Sequence, residues 1–377
     1  MIKIVHCADV HLDSPFALND PRNAELRRME LRSSFISLVM QAKNYGARLF
    51  LVSGDLFDEA YVSKDTANLV LKEMSSYPDC HFFISPGEAD PYSAKSPYKL
   101  MKWSDNVHIF KSGDLTKVEI PELNADIYGY AFTGEPFDDC PFASKKPQNV
   151  NRINILVGHG ELLAEAERGR GGSSEICPIR AADIGRSGFD YVALGHLHAG
   201  MRAQKLGESF FSYPGCLSGR GFDEPGYKGA MCGEIGKGVC GLKGIKFSRL
   251  RYEVIQVDIS QFITESQIVE AIRLASSEYH DDTALRVELT GALRPELVFN
   301  PSELEQRFSQ FNFLQVKNMT RPHIDAAALG QDKTVRGIFY RRLEAKLNSE
   351  DEQERTEAQL ALHYAIKAFA DLNIIDF

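Results

Sequence analysis

No two cysteines in this chain stand at CxxC spacing, although seven are present. An odd number without that spacing argues against a disulfide framework and against a zinc knuckle. Cys7, Cys80, Cys177 and the others are therefore expected as buried small hydrophobes. Long apolar runs are missing too, since nothing approaches the roughly 18 uninterrupted apolar residues of a membrane span. The opening Met1-Ile2-Lys3-Ile4-Val5-His6 has none of the charged, apolar and small-residue regions of a signal peptide. A cytoplasmic protein without membrane association is the expectation. Positive charge is in deficit, with 43 Lys and Arg against 52 Asp and Glu and a formal net charge of -9. Sequence-neutral binding of DNA rests on Lys and Arg neutralising phosphates, so a nucleic-acid role here needs a local basic groove or a partner.

What is present is ordinary globular material, 377 residues that are 44% hydrophobic and 25% charged. That length favours one large domain with a smaller companion. Residues 2–8 read as a strand, 23–45 as a helix carrying Leu26, Met29, Phe35, Ile36, Val39 and Ala42 at helical spacing, and 47–52 as a second strand. Ser63 caps a helix that ends before Pro78, and 81–84 is again a strand. Strand patterns return at 127–131, 153–157 and 191–194. The Gly-rich stretch 207–253 reads as hairpins completing a second sheet. A small α+β pattern comes next, and after Pro322 two helices, about 334–347 and 351–372. The expected division is a domain of residues 1–250, a small α+β capping domain 251–321 and a helical segment 322–377.

Five short clusters of ligand-type residues lie in order along the first two hundred positions. They are Asp9-Val10-His11, Gly54-Asp55-Leu56-Phe57-Asp58, Gly87-Glu88-Ala89-Asp90, Gly158-His159-Gly160 and Gly195-His196-Leu197-His198. Most end an apolar run, where a buried strand delivers its side chains to the carboxyl rim of a sheet. Divalent ions that hydrolyse phosphate esters want oxygen and imidazole ligands and a carboxylate able to bridge. Asp9, His11, Asp55, His159, His196 and His198 supply them, and the two-residue spacings suit an extended chain whose alternate side chains point the same way.

Together these blocks resemble the calcineurin-like metallophosphoesterase superfamily, and most of all its DNA repair exonuclease branch, the SbcD- and YhaO-like subunits. The resemblance covers the first 250 residues and, loosely, the residues beyond them. It implies an α/β fold, a two-sheet αββα metallophosphoesterase sandwich with a smaller α+β capping domain and C-terminal helices. It implies one metal held by Asp9, His11, Asp55 and His198 and a second by Asp55, Glu88, His159 and His196, with Asp55 as the bridge. Manganese is the expected ion, with iron, magnesium or zinc as alternatives. The third block departs from the family, which has Asn at the Glu88 position and a leaving-group-stabilising His at the Ala89 position. An anionic ligand replaces a neutral one, and a methyl group replaces an acid.

Asp58 and Asp90 are expected to support the ligands from behind, Asp58 either by orienting a metal-binding His or by capping its own loop. Arg168, Arg170, Arg180 and Arg220, in loops around the last clusters, are candidates for contact with nucleic-acid phosphates. By resemblance the partners are DNA, an SMC/SbcC-like ATPase docked by the helical tail and a second copy in a homodimer. Ile338, Phe339, Leu343, Leu360, Leu362, Ile366 and Phe369 either form that docking face or pack on their own domain. Three functions stay open: a two-metal DNA exonuclease weakened by its third block, a catalytically impaired metal-binding scaffold for the ATPase, and a phosphoesterase acting on something other than DNA.

Overall fold

Short runs of β-branched and aromatic residues alternate with amphipathic helices through the first 250 positions, and each run becomes a strand. The computed structural model describes residues 1–16, 21–163, 176–294, 297–311, 313–323 and 326–369. Two compact units emerge, Met1–Tyr252 and Glu253–Phe377, the second of which contains the terminal helices. In the first unit the chain runs β1 (Ile2–Cys7), α1 (Pro21–Tyr45), β2 (Leu49–Ser53), α2 (Lys64–Ser75), β3 (His81–Ser85), α3 (Pro97–Leu100), β4 (Val107–Ile109), β5 (Thr116–Ile120) and β6 (Ala125–Gly129). It continues with β7 (Ile153–His159), β8 (Glu161–Leu162), β9 (Pro178–Ile179), α4 (Ala181–Ser187), β10 (Tyr191–Gly195), β11 (Met201–Leu206), β12 (Ser209–Tyr213), β13 (Gly229–Gly236) and β14 (Val239–Lys246).

Two six-stranded mixed sheets result, ordered β14-β13-β1-β2-β3-β4 and β11-β12-β10-β7-β6-β5. The strands β1, β2 and β3 are parallel to one another, as are β7 and β10. Alternation along each strand sends side chains to two different cores. Ile4, Leu49, Leu51 and Phe83 meet Ile127, Ile155, Val157 and Ala193 between the sheets. Val5, Phe50, Val52 and Phe82 pack outward on Leu31, Phe35, Leu38 and Val39 of α1 and Val70 and Met74 of α2. Leu156, Val192 and Phe211 face Phe142 and, from α4, Ile184. The layered sandwich expected from the sequence is the fold.

Two expectations need correction, and one left open is resolved in part. The 207–253 region does not complete the second sheet alone. Its β13 pairs antiparallel with β1 and carries β14 with it into the first sheet, because Ile235 joins the core between the sheets beside Ile2 and Ile4. Leu26 and Met29, counted on the apolar stripe of α1, are exposed, and the buried stripe begins in earnest at Leu31. In the tail, Leu362 is buried, with Phe339 and Leu343 packed against the same small cluster, whereas Ile338 and Leu360 are exposed. The side chains of Ile366 and Phe369 lie outside the described part of the structure.

The second unit is built on β15 (Arg251–Asp258), α5 (Glu265–Ala275), β16 (Thr283–Thr290), β17 (Ala292–Leu293), α6 (Pro301–Gln306), β18 (Phe313–Asn318) and β19 (Arg321–Pro322), followed by α7 (Ala326–Gln331), α8 (Val335–Leu347) and α9 (Glu352–Phe369). Its three-stranded sheet β15-β16-β18 packs Val257, Leu285, Val287 and Leu289 against Ile268 and Ile272 of α5 and Leu304 of α6.

A polar chain crosses the apolar layer between the sheets. His6 Nδ1 lies 2.7 Å from the Tyr191 hydroxyl and Nε2 lies 3.0 Å from Ser53 Oγ. Ser53 Oγ donates to Ala193 O at 3.0 Å, so it must accept from His6 Nε2–H. His6 Nδ1 is then the acceptor for Tyr191, whose oxygen sits 2.6 Å from Ser212 Oγ. Every member is satisfied with His6 neutral, and burial pushes its pKa down to about 3. The unfolded chain takes up this proton near pH 6.5, so it binds more protons than the folded chain between the two values. The contribution to stability is complete above about pH 6.5 and is lost as pH falls toward about 3, on the order of a few kcal/mol. Urea midpoints measured across that window should fall steeply for the native chain and less steeply for His6→Gln, which keeps a donor and an acceptor; parallel slopes would contradict this origin.

Candidate metal centre

All five ligand clusters lie at or just beyond the carboxyl ends of parallel strands: β1, β2 and β3 in the first sheet, β7 and β10 in the second. The rims close on each other because two positions lack side chains. A Cβ on Gly195 would stand 1.8 Å from Ser53 O, and one on Gly54 would stand 2.1 Å from His159 Nδ1. The chain then turns sharply, and Asp9 (φ 50), His11 (φ 49), Asp55 (φ 53) and His196 (φ 108) all adopt positive φ. Such backbone is unfavourable for residues with a Cβ and persists where the surroundings enforce it. Here Asp9 N donates to Gly54 O at 3.1 Å, His11 N to Asp55 O at 2.9 Å and His196 N to Asp9 Oδ1 at 2.9 Å.

Asp9, His11 and His198 bring ligand atoms within 4.8 Å of one another, and so do Glu88, His159 and His196. Asp55 lies between the groups, its Oδ2 3.6 Å from His11 Nε2 and 3.7 Å from His159 Nε2. Carboxylates behind His11 and His198 orient these two imidazoles. His11 Nδ1 donates to Asp58 Oδ1 at 2.7 Å, and His198 Nδ1 donates to Glu224 Oε1 at 2.7 Å, with Arg220 Nη2, held by the same Glu224 oxygen, 3.0 Å from His198 Nδ1. Their Nε2 atoms therefore present lone pairs to each other at 3.3 Å, an arrangement that a cation between them would stabilise. His159 Nδ1 is 2.8 Å from Ser53 O, which can only accept. Its Nε2 is buried and faces Glu88 Oε2 at 2.5 Å. Glu88 Oε1 lies 3.0 Å from His196 Nδ1.

Burial disfavours charge on both His159 and Asp55. Nonetheless the carboxylates of Asp55, Glu88 and Asp9 push the His159 pKa well above its ordinary value. Burial raises Asp55, and His159 opposes that while Glu88, Asp90 and Asp9 add to it. The pocket has excess negative charge and calls for a positive one. With oxygen and imidazole donors aimed inward, these residues fit divalent metal ions.

Asp90 is not aimed into the pocket. It accepts from the backbone N–H groups of Asp55, Leu56, Phe57 and Gly87 and from the Tyr98 hydroxyl, clamping the second cluster to the third. Burial raises its pKa to about 6 against those hydrogen bonds. Ala89 has no polar side-chain atom; its backbone N–H donates to Asp55 Oδ1 at 2.9 Å and its carbonyl accepts from Glu59 N at 2.9 Å. Glu224 belongs to none of the five clusters. Besides His198 it accepts from Arg220 N at 2.8 Å and Nη2 at 2.9 Å, and its pKa lies well below the carboxylate range, with burial overcome by His198 and Arg220. The only trace of it in the sequence is the four-residue spacing from Arg220. Arg220 thus sits at the edge of the centre with its guanidinium on Glu224. Arg180 is exposed, ion-paired with Asp139 at 2.8 Å. Arg168 and Arg170 lie outside the described residues.

Residues 2–200 match the model of the calcineurin-like phosphoesterase family. The chain is 26% identical over 277 residues to the uncharacterized metallophosphoesterase YhaO of Bacillus subtilis (69% of this chain, 64% of that protein). It is 25% identical to one of the subunits of the nuclease SbcCD of Staphylococcus epidermidis (59% and 63%) and 25% identical to the DNA double-strand break repair protein Mre11 of Aeropyrum pernix (58% and 54%). The matches thus span less than two thirds of each relative's length.

Carboxylates that orient metal-binding imidazoles contribute roughly 10- to 100-fold in metal affinity. Glu224→Gln and Asp58→Asn should each weaken manganese binding by about that factor in calorimetric titration while leaving the circular dichroism spectrum unchanged. Unaltered affinity in both would contradict the orienting role.

Proposed function

The chain belongs to the calcineurin-like phosphoesterase family, and from that premise we propose that it is a two-metal phosphodiesterase of the DNA exonuclease type, working with an SMC-like ATPase. The observation that carries the reading is Asp55 Oδ2, set at 3.6 and 3.7 Å from imidazole nitrogens of the two ligand groups, where a carboxylate bridges two ions. The relatives named as a nuclease subunit and a break-repair protein support DNA as substrate. Manganese suits the mixed carboxylate and imidazole donors. Asp9, His11, His198 and Asp55 hold one ion and Asp55, Glu88, His159 and His196 the other. When bound, the ions supply an activated water and offset charge developing on the phosphoryl oxygens.

The chain's own residues set the limits of that chemistry. Asp58 and Glu224 keep the His11 and His198 lone pairs turned inward, and Asp90 keeps Asp55 and Glu88 on one rim. The carboxylate of Glu88 strengthens cation retention and weakens attraction for an anionic phosphodiester. Ala89 has no proton to give the leaving oxygen, a loss of about 10²- to 10⁴-fold for a general acid. That methyl favours a second reading, a metal-stabilised scaffold subunit for the ATPase and DNA. In either reading the segment 322–377 docks the ATPase, and the exposed Ile338 and Leu360 are available to it. Homodimerisation and a cytoplasmic location complete the proposal.

Two substrates separate the readings. Bis-p-nitrophenyl phosphate has a leaving group that needs no acid, whereas the leaving alkoxide of DNA does need one. With manganese, the native chain should turn over the activated ester, and Ala89→His should raise cleavage of DNA ends by about 10²-fold or more with a smaller change on the ester. No turnover of the ester by either chain would contradict the enzymatic reading and leave the scaffold.

A further inference from the structure

At the amino end of β3, away from the candidate centre on its carboxyl rim, two further imidazoles meet. His81 Nδ1 lies 3.2 Å from His108 Nε2, and the ring centroids are 5.4 Å apart. His81 opens β3, and His108 stands in the middle of the neighbouring edge strand β4. Strand pairing fixes both backbones, with Phe82 beside Val107 and Phe83 beside His108, and Phe83 stacks on the His108 ring at 4.6 Å. The second nitrogen of His81 is engaged from the other sheet. Its Nε2 lies 2.8 Å from Oε1 of Glu122, which stands in the short turn Pro121–Leu123 between β5 and β6. None of the three residues belongs to the five ligand clusters. We propose that His81 Nδ1 and His108 Nε2 form a separate, exchangeable site for a divalent transition ion of the zinc class, oriented by Glu122.

Tautomers decide where the lone pairs point. Glu122 is held below the ordinary carboxylate range by its own backbone N–H and by His81, so it accepts from His81 Nε2 and leaves a lone pair on Nδ1 directed at His108. Burial, reinforced by His81, lowers the His108 pKa to about 4, and that ring is neutral at pH 7. A neutral imidazole has two tautomers. The one with its proton on Nδ1 turns the His108 Nε2 lone pair toward the same point.

Spacing and surroundings suit an ion there. Two nitrogens bound to one tetrahedral zinc at roughly 2.0 to 2.1 Å stand about 3.3 Å apart, close to the 3.2 Å already present. A carboxylate on the far nitrogen of a ligating imidazole fixes the ring and raises its basicity, which is the relation of Glu122 to His81. The His81 side chain is 21% exposed and that of Glu122 50%, so an ion has an approach from solvent and water completes its coordination. Neutral imidazoles favour the later ions of the divalent series over manganese. The site therefore differs from the candidate centre in the ion it selects as well as in its place. An ion held here joins β3 to β4 directly and, through Glu122, to the second sheet.

Counting zinc tests this without reference to activity. The full chain, preloaded with manganese, is dialysed against micromolar zinc chloride, and bound zinc is measured by mass spectrometry for the native chain, His81→Gln and His108→Gln. Exchange of zinc into the candidate centre is common to all three chains and cancels in the difference. The native chain should bind one zinc more than either variant, and Glu122→Gln should bind that zinc about tenfold more weakly. Thermal melting verifies that each variant is folded. Equal zinc counts in the native chain and both histidine variants would overturn the site, leaving an imidazole–imidazole hydrogen bond. Unaltered zinc affinity in Glu122→Gln would overturn the orienting role of the carboxylate.

Discussion

Between Ser53 and Gly195 the two sheets run so close that a single Cβ would strike a carbonyl oxygen at 1.8 Å. The candidate metal centre depends on that approach. Parallel strands in each sheet deliver their carboxyl ends to one rim, but ligands on separate sheets can share an ion only if the rims touch. Gly54 and Gly195 remove the side chains that would hold the rims apart, and Ser53 O takes the freed place as acceptor for His159 Nδ1. One backbone contact therefore fixes the distance between the sheets and the tautomer of the buried His159 imidazole. The His6 chain, which runs from Ser53 to Tyr191 and Ser212, binds the same two sheets just below the rim.

Closing the rims gathers charge that the fold does not neutralise by itself. Asp9, Asp55 and Glu88 point inward, and the carboxylates raise the His159 pKa. The outer acids have a different role. Asp58, Asp90 and Glu224 are each engaged with an imidazole, a guanidinium, a hydroxyl or backbone N–H groups, so they set direction and add no free oxygen to the pocket. The positive φ at Asp9, His11, Asp55 and His196 is the conformational cost of turning the ligands back over the rim, held in place by the hydrogen bonds between the loops.

Much of this was legible in the sequence. Apolar runs located β1, β2, β3, β7 and β10, and the D-x-H and H-x-H spacings marked side chains that gather at one rim, although not on extended chain as expected, since Asp9, His11 and His196 turn through positive φ just beyond the strand ends. The supporting contacts were less visible, for a physical reason. Glu224 lies 26 residues beyond His198 in a Gly-rich stretch with no periodicity to place it. The sheet membership of β13 could not be read either, since its alternation with glycine fits the open edge of both sheets, and only the burial of Ile235 beside Ile2 and Ile4 decides. Leu26 and Met29 kept helical spacing yet face outward, because periodicity gives a stripe's direction but not where along the helix the neighbouring sheet begins.

Convergence of the rims, on this reading, builds two cation positions bridged by Asp55, with Glu88 as a ligand of the second. Anomalous scattering from crystals grown with manganese measures this most directly. Two peaks are expected, one beside Asp9, His11 and His198 and one beside Glu88, His159 and His196, with Asp55 touching both. A single peak, or a second one from which Glu88 is turned away, would contradict that arrangement.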